Sequence, residues 1–142
     1  MKTEAKRFEN PKDEKIKEIL TNSKIIAVVG LSPDLSRPSF WVANYLKKNN
    51  FKIIPVNPKY QQILGERAFP KLTDVLDEID VVDIFRSPEY VMPVIEDAIK
   101  IKAKVVWMQE GVINFEAAEK AKKNNILVVM DRCISKEHKR LF

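Results

Sequence analysis

The stretch Ile25-Ile26-Ala27-Val28-Val29-Gly30-Leu31-Ser32-Pro33-Asp34-Leu35-Ser36-Arg37-Pro38-Ser39 decides the fold. Five consecutive apolar residues, four of them β-branched, read as a strand covered on both faces. The run stops at a glycine, passes through a polar loop, and meets Pro38, a residue suited to the first position of a helix. Strand, glycine, polar loop and helix in that order describe the opening unit of a βαβ fold.

Four more apolar runs repeat the pattern downstream: Phe51 to Val56, Val81 to Phe85, Lys104 to Met108 and Ile126 to Met130. Pro55 is dissonant within the second, because it has no N–H for a ladder, and it fits an edge or a strand end. Helices fill the gaps. Asn10-Pro11 opens one with Pro11 in its first turn and Ile16, Ile19 and Leu20 as its apolar stripe. A second starts near Pro38, carries Val42, Tyr45 and Leu46, and stops at Asn49-Asn50. A short one follows Thr73 as N-cap, and another begins at Ser87-Pro88-Glu89, with Pro93 kinking it or marking its true start. Asn114 caps a helix to Lys123, and Ser135 caps a terminal one. The expectation is a single α/β domain over residues 1–142: a Rossmann-like, doubly wound parallel sheet of about five strands flanked by helices. Residues 1–10 are expected to form a flexible extension.

The bulk numbers bound the function. The 142 residues suit one domain, and 45% hydrophobic residues suffice for a core. The net charge of +5 favours anionic partners without naming one. One cysteine, Cys133, and one histidine, His138, exclude an internal disulfide framework and the usual zinc patterns. No apolar run approaches the roughly 18–20 residues that span a bilayer, and the charged start is no secretory signal. A cytoplasmic protein with a reduced thiol is expected, with neither membrane nor nucleic acid as partner.

In open parallel sheets ligands sit beyond the carboxyl ends of the strands, where the winding direction switches. The loop after the first strand lacks all but the first glycine of the dinucleotide fingerprint G-x-G-x-x-G. It offers instead the hydroxyls of Ser32, Ser36 and Ser39, the Arg37 guanidinium, and the free N–H groups of the following helix. Those are the parts of an anion site, although serine and proline also make an ordinary capped and solvated loop. After the second strand, Val56-Asn57-Pro58-Lys59-Tyr60 lacks the acid that holds NAD ribose hydroxyls. Lys59 favours a ligand with an extra ribose phosphate, either coenzyme A or NADP, or else is a plain surface lysine.

These residues carry a resemblance. Val29-Gly30-Leu31-Ser32 with Arg37-Pro38-Ser39, and Ile54-Pro55-Val56-Asn57-Pro58, resemble the stand-alone CoA-binding proteins, which are similar to the amino-terminal domain of the succinyl-CoA synthetase α subunit. Asp83-Ile84-Phe85-Arg86-Ser87-Pro88, Val106-Trp107-Met108-Gln109-Glu110-Gly111 and Val129-Met130-Asp131-Arg132-Cys133 agree with it, so the resemblance covers residues 12–142. It implies coenzyme A as ligand, with Gly30, Leu31, Ser32, Ser36, Arg37 and Ser39 at the pyrophosphate. It implies Asn57, Pro58 and Lys59 near the adenosine end, Lys59 for phosphate. Phe85, Arg86 and Pro88 would close over adenine or pantetheine, and Met108, Gln109 and Glu110 would meet the pantetheine arm. Trp41 departs from the pattern, where relatives often carry a small residue, and its indole either narrows the site or points outward.

The resemblance implies a non-catalytic binding module, carrier or sensor for coenzyme A or an acyl-CoA. The alternatives are an NADP-linked oxidoreductase and the CoA-binding subunit of a split acyl-CoA synthetase. Cys133 after the last strand reads either as an activated thiol beside Arg132 or as a small inert core residue, the commoner fate. His138 reads as a surface histidine, and the basic Lys136, Lys139 and Arg140 lack the aromatics of a nucleic-acid site.

Overall fold

A computed structural model describes residues 8–142. The expected extension over residues 1–10 falls, for residues 1–7, outside the described residues. The strands are β1 (Ile25–Val29), β2 (Lys52–Val56), β3 (Gln62–Ile63), β4 (Glu66–Arg67), β5 (Val81–Ile84), β6 (Val105–Met108) and β7 (Leu127–Val129). The helices are α1 (Asp13–Asn22), α2 (Pro38–Lys48), α3 (Val91–Lys100), α4 (Phe115–Lys123) and α5 (Ile134–Leu141).

Five strands form one parallel sheet in the order β2-β1-β5-β6-β7. This is the Rossmann-like, doubly wound arrangement that the alternation of apolar runs and helical patterns implies. Side chains alternate between its faces. Ile26, Val28, Val81, Val105, Trp107 and Val129 join the apolar sides of α1, α2 and α5 in one layer. Ala27, Val29, Val82, Ile84, Val106 and Met108 join α3 and α4 in the other. Both faces are covered, which is why the strands read as near-continuous apolar runs, with Asp83 in β5 an exception.

Pro55 lies in β2 at the sheet's edge, the place a strand proline tolerates. Beyond it the chain forms the β3–β4 hairpin, which has no counterpart among the expected elements. Its turn places Leu64 and Gly65 at φ 55° and 76°, and Lys47 Nζ donates to the Leu64 carbonyl at 2.6 Å.

Several helix starts differ from expectation. Pro11 lies outside α1, which begins at Asp13 with Lys12 at its cap. The cause is Asn10, whose side-chain amide is bound to the Met130 backbone: Nδ2 donates to the carbonyl and Oδ1 accepts from the N–H, each at 2.8 Å. Thr73 sits inside a 3-10 turn, Leu72–Asp74, and Asp74 reaches back to accept from the Lys71 N–H at 3.2 Å. Pro88 opens a 3-10 turn to Tyr90, and Pro93 falls in the first turn of α3, where its missing N–H costs nothing. Asn114 does cap α4, accepting from the Ala117 N–H at 2.9 Å. Ser135 does not cap α5; Cys133 occupies that position, and the Ile134 N–H goes to Gln109 Oε1 at 3.1 Å.

Candidate functional site

The chain leaves β1 for β2 on one side and returns to β5 on the other, so the winding switches between β1 and β5. Gly30 stands at that point with φ 87°. Its N–H donates to the Val56 carbonyl at 2.9 Å, and the Phe85 N–H donates to the Val29 carbonyl at 2.9 Å. A side chain at Gly30 would run into the Phe85 carbonyl oxygen. The three strand ends are therefore drawn together more closely than any Cβ permits.

Above them lies a cleft of ≈ 470 Å³, walled by the loops after β1, β2 and β5. Nine of the residues expected to form the site line it: Gly30, Ser32, Arg37, Ser39, Asn57, Pro58, Lys59, Phe85 and Arg86. Asp34, Pro38 and Tyr60 line it as well. A second hollow of ≈ 300 Å³ adjoins it through Arg86, which lines both; Val29, Val56, Leu72, Tyr90 and Pro93 give it an apolar wall.

The loop after β1 is wired to itself. Ser39, 4% exposed, accepts from the Ser32 N–H at 3.1 Å. Ser32 Oγ accepts from the Asp34 N–H at 3.0 Å. Asp34 Oδ1 accepts from the Ser36 N–H at 2.9 Å and its hydroxyl at 2.8 Å, and those two bonds hold the Asp34 carboxyl below the usual carboxylate range. Ser36 thus turns its hydroxyl onto Asp34 and does not line the cleft. Asn57 Nδ2 donates to the Leu31 carbonyl at 2.9 Å, and Asn57 Oδ1 accepts from the Lys59 N–H at 2.9 Å. The asparagine joins two loops and shapes the turn that carries Lys59.

Other expected residues stand elsewhere. Leu31 and Met108 are fully buried, so their side chains belong to the core. Gln109 is 4% exposed, and its Oε1 is held by the start of α5. Glu110 is exposed and paired with Lys136 at 3.1 Å. Pro88 lies in the 3-10 turn before α3, and its carbonyl accepts from Asn114 Nδ2 at 3.0 Å. The structure brings none of these five into the cleft. Trp41 points outward, 53% exposed, with its indole N–H donating to the Leu35 carbonyl at 2.8 Å.

The Arg37, Lys59 and Arg86 side chains converge on the cleft without an ion-pair partner among the described residues. Elsewhere Lys52, Lys104, Lys120, Lys136, Arg132 and Arg140 are each matched to a carboxylate, while Lys12, Lys24, Lys48 and Lys100 are dispersed cations without an ion pair among the described residues, so convergence on one cleft is what sets the three apart. Three cations beside a helix start and a glycine turn have the chemistry of an anion site. No group of three metal-ligating side chains occurs among the described residues. No described helix is long and apolar enough to cross a membrane. Asp34, Pro38 and Tyr60 are the lining residues outside the expected set, although all three sit inside the two loops that the motifs singled out.

Cys133 is buried. His138, read as a surface histidine, is half-buried and engaged: its Nδ1 bonds the Tyr45 hydroxyl at 2.7 Å, and it stacks on Phe142 at 4.7 Å between ring centres. The helical register turns it toward α2, and burial lowers its pKa.

The family described as CoA binding domain matches residues 24–139. Protein YneT of Bacillus subtilis (strain 168), itself uncharacterized, is 40% identical over 131 residues, which are 92% of this chain and 97% of that one. The solved structure of a hypothetical protein from Pyrococcus horikoshii OT3 superposes with a TM-score of 0.90 at 44% identity, covering 92% of each chain. An ADP-forming acetate–CoA ligase of Methanocaldococcus jannaschii is 32% identical over 120 residues, 78% of this chain but 17% of the ligase. The chain belongs to the CoA binding domain family.

Proposed function

We propose that this member of the CoA binding domain family holds coenzyme A, or an acyl-CoA, in the cleft at the switch point, as a binding module, carrier or sensor. The observation that carries the reading is the convergence of Arg37, Lys59 and Arg86, all unmatched, on a cleft floored by Gly30. Coenzyme A carries a pyrophosphate and a separate 3′-phosphate, and three cations suit that charge. In this reading Arg37, the Ser32 hydroxyl and the start of α2 take the pyrophosphate. Lys59 and Arg86 take the 3′-phosphate, and the adenine ring enters the apolar hollow beyond Arg86. Asn57 and Ser39 act by holding the loops, since their polar atoms are already engaged with backbone.

Calorimetric titration with coenzyme A, 3′-dephospho-CoA, NAD and NADP tests the reading. The expected order has coenzyme A tightest, a weaker dephospho form, and loss of most affinity in Arg37→Ala and Lys59→Ala. Binding of NADP in place of coenzyme A would instead favour a nicotinamide-linked role. A second reading rests on the match to an acetate–CoA ligase over 17% of that protein's length. There the chain serves as the CoA-binding subunit of a split acyl-CoA synthetase, and stable co-purification with an ATP-binding partner would support it.

A further inference from the structure

Asp83 interrupts the apolar run of β5 at the centre of the sheet. It is 0% exposed, and neither carboxylate oxygen has a hydrogen-bond partner among the described residues. Its neighbours in register are Val28 on β1 and Trp107 on β6, both in the layer covered by α1, α2 and α5. Desolvation pushes its carboxyl well above the usual range, and the Cys133 thiol adds to the effect. An ionised carboxylate without a partner is not tolerated in such a place, so the group is held as the neutral acid.

Of the three helices over that layer, α5 is the one whose start acts on Asp83: Cys133, at its cap, lies near enough to perturb the carboxyl. Cys133 and Ile134 lie in the same buried layer as Val28 and Trp107. The segment is fastened from its edges: Trp107 Nε1 donates to the Arg132 carbonyl at 2.9 Å, and Gln109 Oε1 accepts from the Ile134 N–H. The titratable groups around it are otherwise engaged. Glu137 on α5 is paired with Arg132 and Arg140, Arg140 also with Asp13 of α1, and His138 with Tyr45 of α2. Lys136 is paired with Glu110, and Lys139 lies over the Tyr45 ring. None of these bonds reaches Asp83, and β1 and β6 set only Val28 and Trp107 beside it.

We propose that the start of α5 is a proton-dependent latch: neutral Asp83 lies beneath the closed helix, and losing its proton to solvent lifts residues 132–135 from the sheet, exposing Asp83 and Cys133. Closure holds the proton and opening releases it. The open fraction therefore rises about tenfold per pH unit between the hydrated and the buried titration of the carboxyl. Opening also frees Gln109, which ties the loop after β6 to the helix. The latch is independent of any ligand.

Cys133 is the single cysteine of the chain, so thiol alkylation reads this position alone. With opening fast relative to labelling, the wild-type rate rises by up to about two decades per pH unit at pH values between the hydrated and the buried titration of Asp83, one from thiolate formation in the opened state and one from the latch. In Asp83→Asn it rises by about one decade, from the thiolate alone. Equal slopes in the two proteins overturn the latch. If the variant does not fold, hydrogen exchange of the wild type decides. After correction for intrinsic rates, α5 amides lose up to about tenfold protection per pH unit while β6 amides keep theirs. Constant protection of α5, or parallel loss in β6, overturns the proposal.

Discussion

The Asn57 side-chain amide donates to the Leu31 carbonyl at 2.9 Å, fastening the loop after β2 to the loop after β1 across the cleft. The same side chain accepts from the Lys59 N–H. One residue thus sets the distance between the two loops that carry Arg37 and Lys59. Asn57→Ala removes both bonds and is expected to lower stability by about 1–2 kcal/mol. Asn57→Asp keeps an acceptor for Lys59, loses the donor, and adds an anion beside the cations. Calorimetry should find coenzyme A affinity reduced severalfold by the alanine and at least about tenfold by the aspartate; an aspartate variant that binds normally would show that the tether is dispensable.

Gly30→Ala meets two obstacles together, a positive φ and the Phe85 carbonyl. The expected loss is at least about 2 kcal/mol, read as a lower midpoint in urea denaturation. A variant with an unchanged midpoint would mean that β1 and β5 separate at little cost.

His138 is stabilised as the neutral ring, because burial lowers its pKa below the ordinary value. Its contribution is present above the unfolded pKa of about 6.5 and is lost as pH falls through the lower folded value. The melting temperature of the wild type relative to that of His138→Gln should therefore fall between pH 7.5 and 5, against whatever slope Asp83 gives to both profiles. An identical profile in the variant would assign the acid sensitivity to other groups.

Asn10 bonds Met130 as a neighbouring strand would, at the end of the sheet's edge strand β7. Asn10→Ala should cost about 1–2 kcal/mol and leave the Met130 backbone groups unpaired. Unpaired edge groups invite association, so sedimentation should show concentration-dependent assembly in the variant.

Much of the sheet was legible because its strands are buried on both faces, and Val81-Val82 or Val105-Val106 admit few other readings. The helix starts were less so. Pro11 and Ser135 have the chemistry of first-turn residues, yet long-range bonds from Asn10 to Met130 and from Ile134 to Gln109 decide where the helices begin. The β3–β4 hairpin escaped because two-residue strands have no periodicity. At the site, loop positions and cations were readable from the β1 and β2 ends. What a side chain does after reaching its loop was not: Ser36 turns to Asp34, Gln109 turns to α5, and Leu31 turns inward. Asp83 was visible in an apolar run, but its lack of a partner emerges only from the packed layer around it.

The chain's two tryptophans share a habit. Trp41, 53% exposed, gives its indole N–H to Leu35 on the cleft loop, and Trp107, fully buried, gives its own to Arg132 just ahead of α5. The consequence is optical. The molecule holds two fluorophores in contrasting surroundings, a red-emitting one coupled to the loop and a blue-emitting one coupled to the helix. In Trp107→Phe the remaining emission follows the loop, and in Trp41→Phe it follows the helix, so each movement is timed by light without an added dye.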